Sequence, residues 1–373
     1  MNKDAPGQRL FPLDALRGLI IVLMALDHAN YFIAQQHASG EHWGGAFPAY
    51  SSALAFLTRL VTHLSAPGFF FLMGVGMTLF TASKRAQGWS TPKLIAHFWI
   101  RGAVLILLQF FVINSIWQAG PEYFPEIYIG VLVALGGTMM LGSLFLNLKP
   151  LPLLLLTFGL FLGTEALHPG PEMWQLTMDI PNQILLRSGG SGFFWSNYPV
   201  LPWLELVVFG ILFGKWLRID KHKAYQTGLH IGIALLIAFV FLRALDGFGN
   251  IRPRAGDAWI DWLNVVKYPP SMTFSLLTMG INLIVLWAFS RAGKLVETAS
   301  RFLVTFGREP LFMYVAHLGL YLLIGKWFLP HGSSIPAMLP FWVLGLAILY
   351  PLARLYGRIK RSKHPLHKIT TYL

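Results

Sequence analysis

The sequence contains no cysteine. That removes disulfides, thiolate metal sites, and any cysteine nucleophile or acyl-cysteine intermediate. Charge is scarce too: 12% of 373 residues are charged, against about 25% in a soluble domain. Acidic residues are the scarcest, 16 against 29 Lys and Arg, leaving a net charge of +13. Such an excess can signal a nucleic-acid binder. In a chain that is 55% hydrophobic with mean hydropathy +0.57, basic residues retained in cytoplasmic loops account for it better, and no nucleic-acid partner is expected. Several catalytic signatures are absent as well. There is no GxxxxGK[ST] phosphate loop and no HExxH. The "GGSG" at 189–192 lacks the strand–turn–helix setting of a nucleophile elbow. His37 and His42 lack the further histidine or carboxylate spacing of a metal site, so no metal is expected.

What the chain has in abundance is apolar runs of roughly twenty residues, the length that crosses a bilayer. They are continuous rather than alternating, which opposes a β-barrel. The first run carries an arginine and no small-residue cleavage site, so it reads as a span and not as a signal peptide. The fold class is therefore an all-α integral membrane protein with about ten spans. They are expected at 13–35, 66–84, 94–115, 126–147, 150–167, 199–218, 225–244, 270–290, 303–325 and 334–356, with a short helix at 50–64 leading into the second. With the N-terminus inside, nineteen Lys and Arg fall in inner segments, namely Lys3, Arg9, Lys84, Arg85, Lys93, Lys149, Lys215, Arg218, Lys221, Lys223, Arg291, Lys294, Arg301 and six in the tail from Arg354 to Lys368. Seven fall outside: Arg59, Arg187, Arg243, Arg252, Arg254, Lys267 and Lys326. This bias puts both termini in the cytoplasm. With no internal repeat or low-complexity linker, residues 1–373 form a single domain. The long outer segments 36–65, 168–198 and 245–269 are rich in Trp, Gly and Pro. They suit either an interfacial aromatic belt or a sugar or headgroup site.

The chemistry concentrates in "FPLDALRGLIIVLMALDHANYF", residues 11–32. Arg17 and His28 are eleven residues apart, hence about 16 Å along a helix and on nearly the same face. Asp14 lies one turn before Arg17 and can pair with it. Asp27 points roughly 100° away from His28 and is suited to orienting a group on another helix. Arg17 can serve as an anchor that snorkels to headgroups, but ionisable residues inside a span generally face a cavity. Arg101 and Arg308 stand at similar depth to Arg17 near the inner ends of their spans, and three guanidiniums suit phosphates. The outer half offers His63, Tyr198, Trp203, Lys267, Tyr268, and Tyr314 with His317 one turn on. Phosphates held inside, a histidine base in the outer half and a linear group threaded between them fit acyl-coenzyme A. A histidine can also carry the acyl group covalently.

Six stretches carry a resemblance along nearly the whole chain, in order: "LDALRGLIIVLMALDH" (13–28), "FLTRLVTHLSAPGFFFLMG" (56–74), "YPVLPWLELVVFGILFG" (198–214), "LNVVKYPPSMTFSLLTMG" (263–280), "FGREPLFMYVAHLGLY" (306–321) and "YPLARLYGRIKR" (350–361). With these the sequence resembles the heparan-α-glucosaminide N-acetyltransferase-like membrane acyltransferases. The resemblance implies a multi-span fold that takes acetyl from cytosolic acetyl-coenzyme A and passes it to an acceptor on the opposite face. It also implies a site with an asparagine near the end of the first span and a histidine in the loop beyond. Here His28 stands where the asparagine is expected, and His37 in "QQHASG" best matches the loop histidine, offset by about two residues. The candidate catalytic residues are thus His28, Asp27, His63 and His37, with His28 as base or acyl carrier. Arg17, Arg101 and Arg308 would bind the acyl-coenzyme A co-substrate, and Tyr198, Trp203, Lys267, Tyr268 and His317 the acceptor. The expected partners are the lipid bilayer of a bacterial inner membrane and a small-molecule or glycan acceptor; a homo-oligomer stays open. The competing function is a proton-coupled transporter or flippase. Buried Arg, Asp and His suit it, whereas paired Gly/Pro-broken helices in two repeated halves are not seen.

Overall fold

The computed structural model describes residues 10–38, 40–122, 124–174 and 179–362. Lys3, Arg9, Lys363 and Lys368 of the inner-charge count lie outside the described residues. The helices are α1 Phe11–Ala29, α2 Ala53–Thr62, α3 Ser65–Ala86, α4 Thr91–Leu108, α5 Asn114–Gln118, α6 Val131–Phe145, α7 Pro150–Ala166 and α8 Ile180–Leu185. They continue with α9 Val200–Ile219, α10 Lys221–Leu245, α11 Trp259–Leu263, α12 Met272–Ser290, α13 Lys294–Ala299, α14 Arg301–Arg308, α15 Pro310–Phe328 and α16 Ile335–Arg361. Besides short π- and 3-10 turns at Asn30–Ala34, Gln109–Ile113 and Pro171–Met173, there are three short strands, β1 Ile127–Ile129, β2 Gly189–Ser191 and β3 Phe194–Ser196, among the described residues. Proline near the first position of α1, α4, α7, α15 and α16 starts helices where its missing N–H is not needed. Ser52, Asp220, Ser271 and Ser334 cap others through their side-chain oxygens.

The chain is an all-α integral membrane protein. Among the described residues eight helices are long and apolar enough to cross a membrane, counting runs that continue through α1 into a π-turn at Asn30–Ala34, through α2 into α3, and through α4 into α5. The expected spans at 126–147 and 150–167 correspond to the shorter apolar helices α6 and α7.

Two expected boundaries are corrected. The span expected from residue 126 becomes helical only at Val131, because Ile127–Ile129 pairs in parallel with Phe194–Ser196, which in turn pairs antiparallel with Gly189–Ser191. β-branched and aromatic side chains favour that extended state once a partner strand is present. The ninth span, expected as 303–325, is two helices. Pro310 pushes Glu309 out of helical geometry, to φ −125° and ψ 56°, and α15 starts afresh from there.

Helices α1, α3, α9 and α12 are mostly buried, while α4, α10 and α16 expose apolar side chains such as Trp99, Ile237, Phe241 and Leu344. One apolar core gathers α3, α9 and α12, and another gathers α15 and α16; α1 contributes to both, with Leu13, Leu16 and Ile20 in the first and Ile21 to Ala34 in the second. Without a hydrophobic driving force in lipid, helices hold together by close backbone approach at small residues. α1 meets α14 in this way. A β-carbon at Gly18 would lie 1.9 Å from the Leu303 carbonyl oxygen, and one at Gly307 2.0 Å from that of Asp14.

Gly307→Ala is therefore expected to destabilise by about 1–3 kcal/mol, through overpacking. Gly159→Ala in α7, whose added methyl meets nothing within 4 Å, should be neutral or slightly stabilising. Thermal melts of the two variants in one detergent check this.

Candidate functional site

One face of α1 lines a cavity of about 1240 Å³. Asp14 and Arg17 stand at one end of that face, and Asp27 and His28 at the other. Between them the wall is largely apolar, with Leu13, Phe69, Leu72, Met73, Leu105 and Leu135.

At the arginine end, Arg17 donates to Asp14 Oδ1 at 3.1 Å and to the Gly307 carbonyl at 3.1 Å. Arg308 Nε lies 3.5 Å from Asp14 Oδ2. The close α1–α14 crossing is what brings these two guanidiniums to one carboxylate. Arg101, from α4, lines the same cavity. So do Arg218, Lys221 and Lys360, which sequence reasoning had treated only as inner anchors; charge bias gives no signal that separates a site cation from an anchor.

The histidine end is built on a shared guanidinium. Arg59, in α2, donates from Nη1 to both Asp27 oxygens at 2.7 and 2.8 Å, and from Nε and Nη2 to Glu41 at 2.5 and 2.8 Å. Thr62, one turn on, adds its hydroxyl to Asp27 at 2.8 Å. Asp27 thus orients a group on another helix, and that group is Arg59. A carboxylate accepting these bonds is an acceptor toward His37 as well, so His37 Nε2, at 3.4 Å, is the donor. His63 Nε2 lies 3.7 Å from Glu41 Oε1. Burial pushes the Glu41 carboxyl up, but Arg59 more than offsets this and holds it well below the usual carboxylate range. The neighbouring His42 is pulled down to about 4, chiefly by burial, with Glu41 opposing.

His28 does not bond Asp27, as their angular offset on α1 leads one to expect. Its Nδ1 lies 2.6 Å from Nε2 of His317, whose own Nδ1 is 2.5 Å from the Met313 carbonyl. The rings of His28 and His317 lie nearly in one plane, joined edge to edge by this bond, with centroids 4.9 Å apart.

Of the residues singled out from sequence, Arg17, Arg101, Arg308, Asp27, His28, His37, Tyr198, Lys267 and Tyr268 all line the one cavity. Tyr198 and Tyr268 meet edge to face at 5.3 Å, and Lys267 Nζ lies 5.0 Å from the Tyr268 ring. Three do not line it. His63 is buried against Glu41 and Phe274. Trp203 is fully buried, stacked on Phe70 at 4.8 Å. His317 sits behind His28 with no exposed surface. Arg59 and Glu41 were missed as site residues. A signal existed: Arg59 is a lone charge in the apolar stretch "ALAFLTRLVT", and Glu41 is the single acidic residue in 36–65 that could neutralise it.

The family model described as "Heparan-alpha-glucosaminide N-acetyltransferase, catalytic" matches residues 9–240. A curated relative, the heparan-alpha-glucosaminide N-acetyltransferase of Mus musculus, is 30% identical over 154 residues, which are 40% of this chain and 21% of the relative. The matched part spans about a fifth of that relative's length.

Removing Arg59 leaves two buried carboxylates uncompensated. Arg59→Met is expected to destabilise by about 3–5 kcal/mol, and adding Glu41→Gln should recover part of that loss; chemical denaturation of the purified protein measures both. A pH effect follows from His42. An unfolded chain protonates this ring near pH 6.5, whereas the folded protein resists until about 4. The unfolded state therefore binds more protons across that window, and stability falls as the pH drops from 6.5 toward 4. His42→Phe should flatten this part of the stability–pH profile.

Proposed function

Because the chain belongs to the heparan-alpha-glucosaminide N-acetyltransferase catalytic family, we propose that it is a membrane acyltransferase moving an acetyl group from acetyl-coenzyme A to an amine or hydroxyl of a sugar or another cell-envelope molecule. The observation that carries this reading is the single cavity joining a cluster of guanidiniums to the imidazoles of His28, His37 and His42. At about 1240 Å³ it exceeds the usual ~300–1,000 Å³ of drug-sized ligand pockets, as a long two-ended substrate requires. Arg17, Arg101 and Arg308 bind the phosphates, since guanidinium matches phosphate in charge and fork geometry. Asp14, held between Arg17 and Arg308, keeps two of them oriented. The apolar middle takes the pantetheine arm.

At the other end the acceptor's nitrogen or oxygen attacks the thioester carbonyl carbon. His28 takes the acceptor's proton, the carbon–sulfur bond breaks, and coenzyme A leaves as the thiol after receiving a proton. His28 is preferred as base because it lines the cavity and its Nε2 has no hydrogen-bond partner among the described residues. Asp27 holds His37 beside it. Tyr198, Tyr268 and Lys267 contact the acceptor. His63 and Trp203 leave this list in our reading, since neither lines the cavity. The mouse relative's name specifies a glucosaminide acceptor; that supports an amino sugar here. The one-domain chain of ten membrane helices would have both termini and its arginine end in the cytoplasm of a bacterial inner membrane, in keeping with the charge bias.

The test is release of free coenzyme A from acetyl-coenzyme A by detergent-purified protein with a panel of amino sugars. Acceptor-dependent release is expected, reduced about 10²–10⁴-fold in His28→Ala. Arg101→Ala and Arg308→Ala should each raise KM for acetyl-coenzyme A about tenfold, roughly the 1.5 kcal/mol of one charged hydrogen bond. Release that survives in His28→Ala but not in His37→Ala moves the base to His37. If acetyl-coenzyme A is not bound and no coenzyme A is released, the acyltransferase reading is overturned in favour of the transporter.

A further inference from the structure

We infer that His317 is a positioning residue that fixes the ring tautomer of His28, so that the His28 lone pair stands on Nε2, at the cavity. The inference rests on the acyltransferase reading for its functional consequence, and on the hydrogen-bond chain for its geometry.

The chain has a direction imposed from one end. The Met313 carbonyl oxygen can only accept. His317 Nδ1, 2.5 Å away, must therefore carry the hydrogen and donate it. A neutral imidazole protonated on Nδ1 has its lone pair on Nε2. His317 Nε2 is thus an acceptor, and His28 Nδ1, 2.6 Å from it, must be the donor. The remaining lone pair of His28 then lies on Nε2. The carbonyl at the far end is supplied one helical turn earlier in α15, so the relay is built from residues 313 and 317 of one helix and residue 28 of another.

The surroundings enforce this arrangement. His317 has no exposed surface and does not itself line the cavity, so water cannot replace either of its bonds and substrate does not reach it. The two rings lie nearly parallel, 9° apart. Trp117 at 5.4 Å and Tyr314 at 6.2 Å meet the His28 ring edge to face, which limits its rotation about χ2. His317 is therefore not an acceptor-binding residue, as its place in the sequence had suggested, but stands behind the base. The role resembles what a carboxylate does for a histidine in a catalytic triad, with a neutral ring in its place. The wrong tautomer would turn Nε2–H toward the acceptor's own N–H or O–H, and no proton could be taken.

The experiment combines spectroscopy with two substitutions in the full-length protein. Histidine ring nitrogens are labelled with ¹⁵N, and the His28 resonances are identified by their loss in His28→Asn. In the wild type His28 is expected with hydrogen on Nδ1 and a bare Nε2. His317→Phe keeps a flat ring in that place and removes the acceptor. It should let His28 take the other tautomer and lower kcat for acetyl-coenzyme A-dependent acetylation of glucosamine by about 100-fold or more, with KM for acetyl-coenzyme A unchanged. His317→Gln offers an amide oxygen near the position of Nε2 and should retain the Nδ1–H tautomer and most of the rate. Hydrogen on Nε2 of His28 in the wild type overturns the inference. So does an unchanged kcat in His317→Phe, or an equal loss in the Phe and Gln variants with the His28 tautomer intact, which would make residue 317 a packing residue only. Absence of any wild-type turnover would count against the acyltransferase reading instead, and the wild-type tautomer would still decide the hydrogen-bond chain.

Discussion

The histidine end of the cavity depends on one guanidinium shared between two carboxylates. Arg59 is almost fully buried, and a lone buried cation there would be prohibitively unstable. Its bonds to Asp27 on α1 and to Glu41 in the connector after α1 satisfy it and lock three segments together. The clamp reaches further through the backbone, since the Glu41 carbonyl accepts the N–H groups of both Lys267 and Tyr268. Lys267 brings a second positive charge toward the same carboxylates. Two carboxylates and two cations are thus gathered at this end, and they largely cancel each other's charge.

The arginine end is arranged on the opposite principle. There Asp14 stands against Arg17, Arg101, Arg308, Arg218, Lys221 and Lys360 around the same cavity. Lys360 also pairs with Glu309 at 3.5 Å, and the positive charge gathered around the cavity is of the sign that attracts the phosphates of the proposed co-substrate. Two glycines make this density of cations attainable, because Gly18 and Gly307 let α1 and α14 approach until Arg17 and Arg308 share one carboxylate. Packing and electrostatics are here the same feature: a side chain at either glycine would separate the charges as well as the helices.

Of the three imidazoles on the cavity, His28 and His37 are held in contrasting ways. His37 donates to a carboxylate that already accepts from Arg59 and Thr62, so its setting changes with that ion network. His28 donates to another histidine that is anchored on a backbone carbonyl and has no exposed surface. In the proposed reaction a neutral relay would hold orientation without adding charge beside the thioester carbonyl. It fits a base that must be ready to accept a proton.

The sequence by itself determined the class of molecule. The absence of cysteine, the scarcity of charge and the long apolar runs leave membrane helices as the way to satisfy the backbone in lipid. It also determined what lies within one helix: eleven residues at about 100° each return to one face, so Arg17 and His28 share the cavity wall, while Asp27 turns away from His28. Pro310 already contained the break before α15. What only the tertiary structure decided is every partnership between distant segments. His28 meets His317 across 289 residues, Arg17 meets Gly307 across 290, and Ile127–Ile129 is a strand because Phe194–Ser196 lies beside it. Tyr198 lines the cavity and Trp203, five residues on, is buried behind it. Local geometry fixes the direction of each side chain from its own helix, but which face meets which neighbour depends on how all the helices pack together. For that reason the charges of the site were legible in the sequence, and their pairing was not.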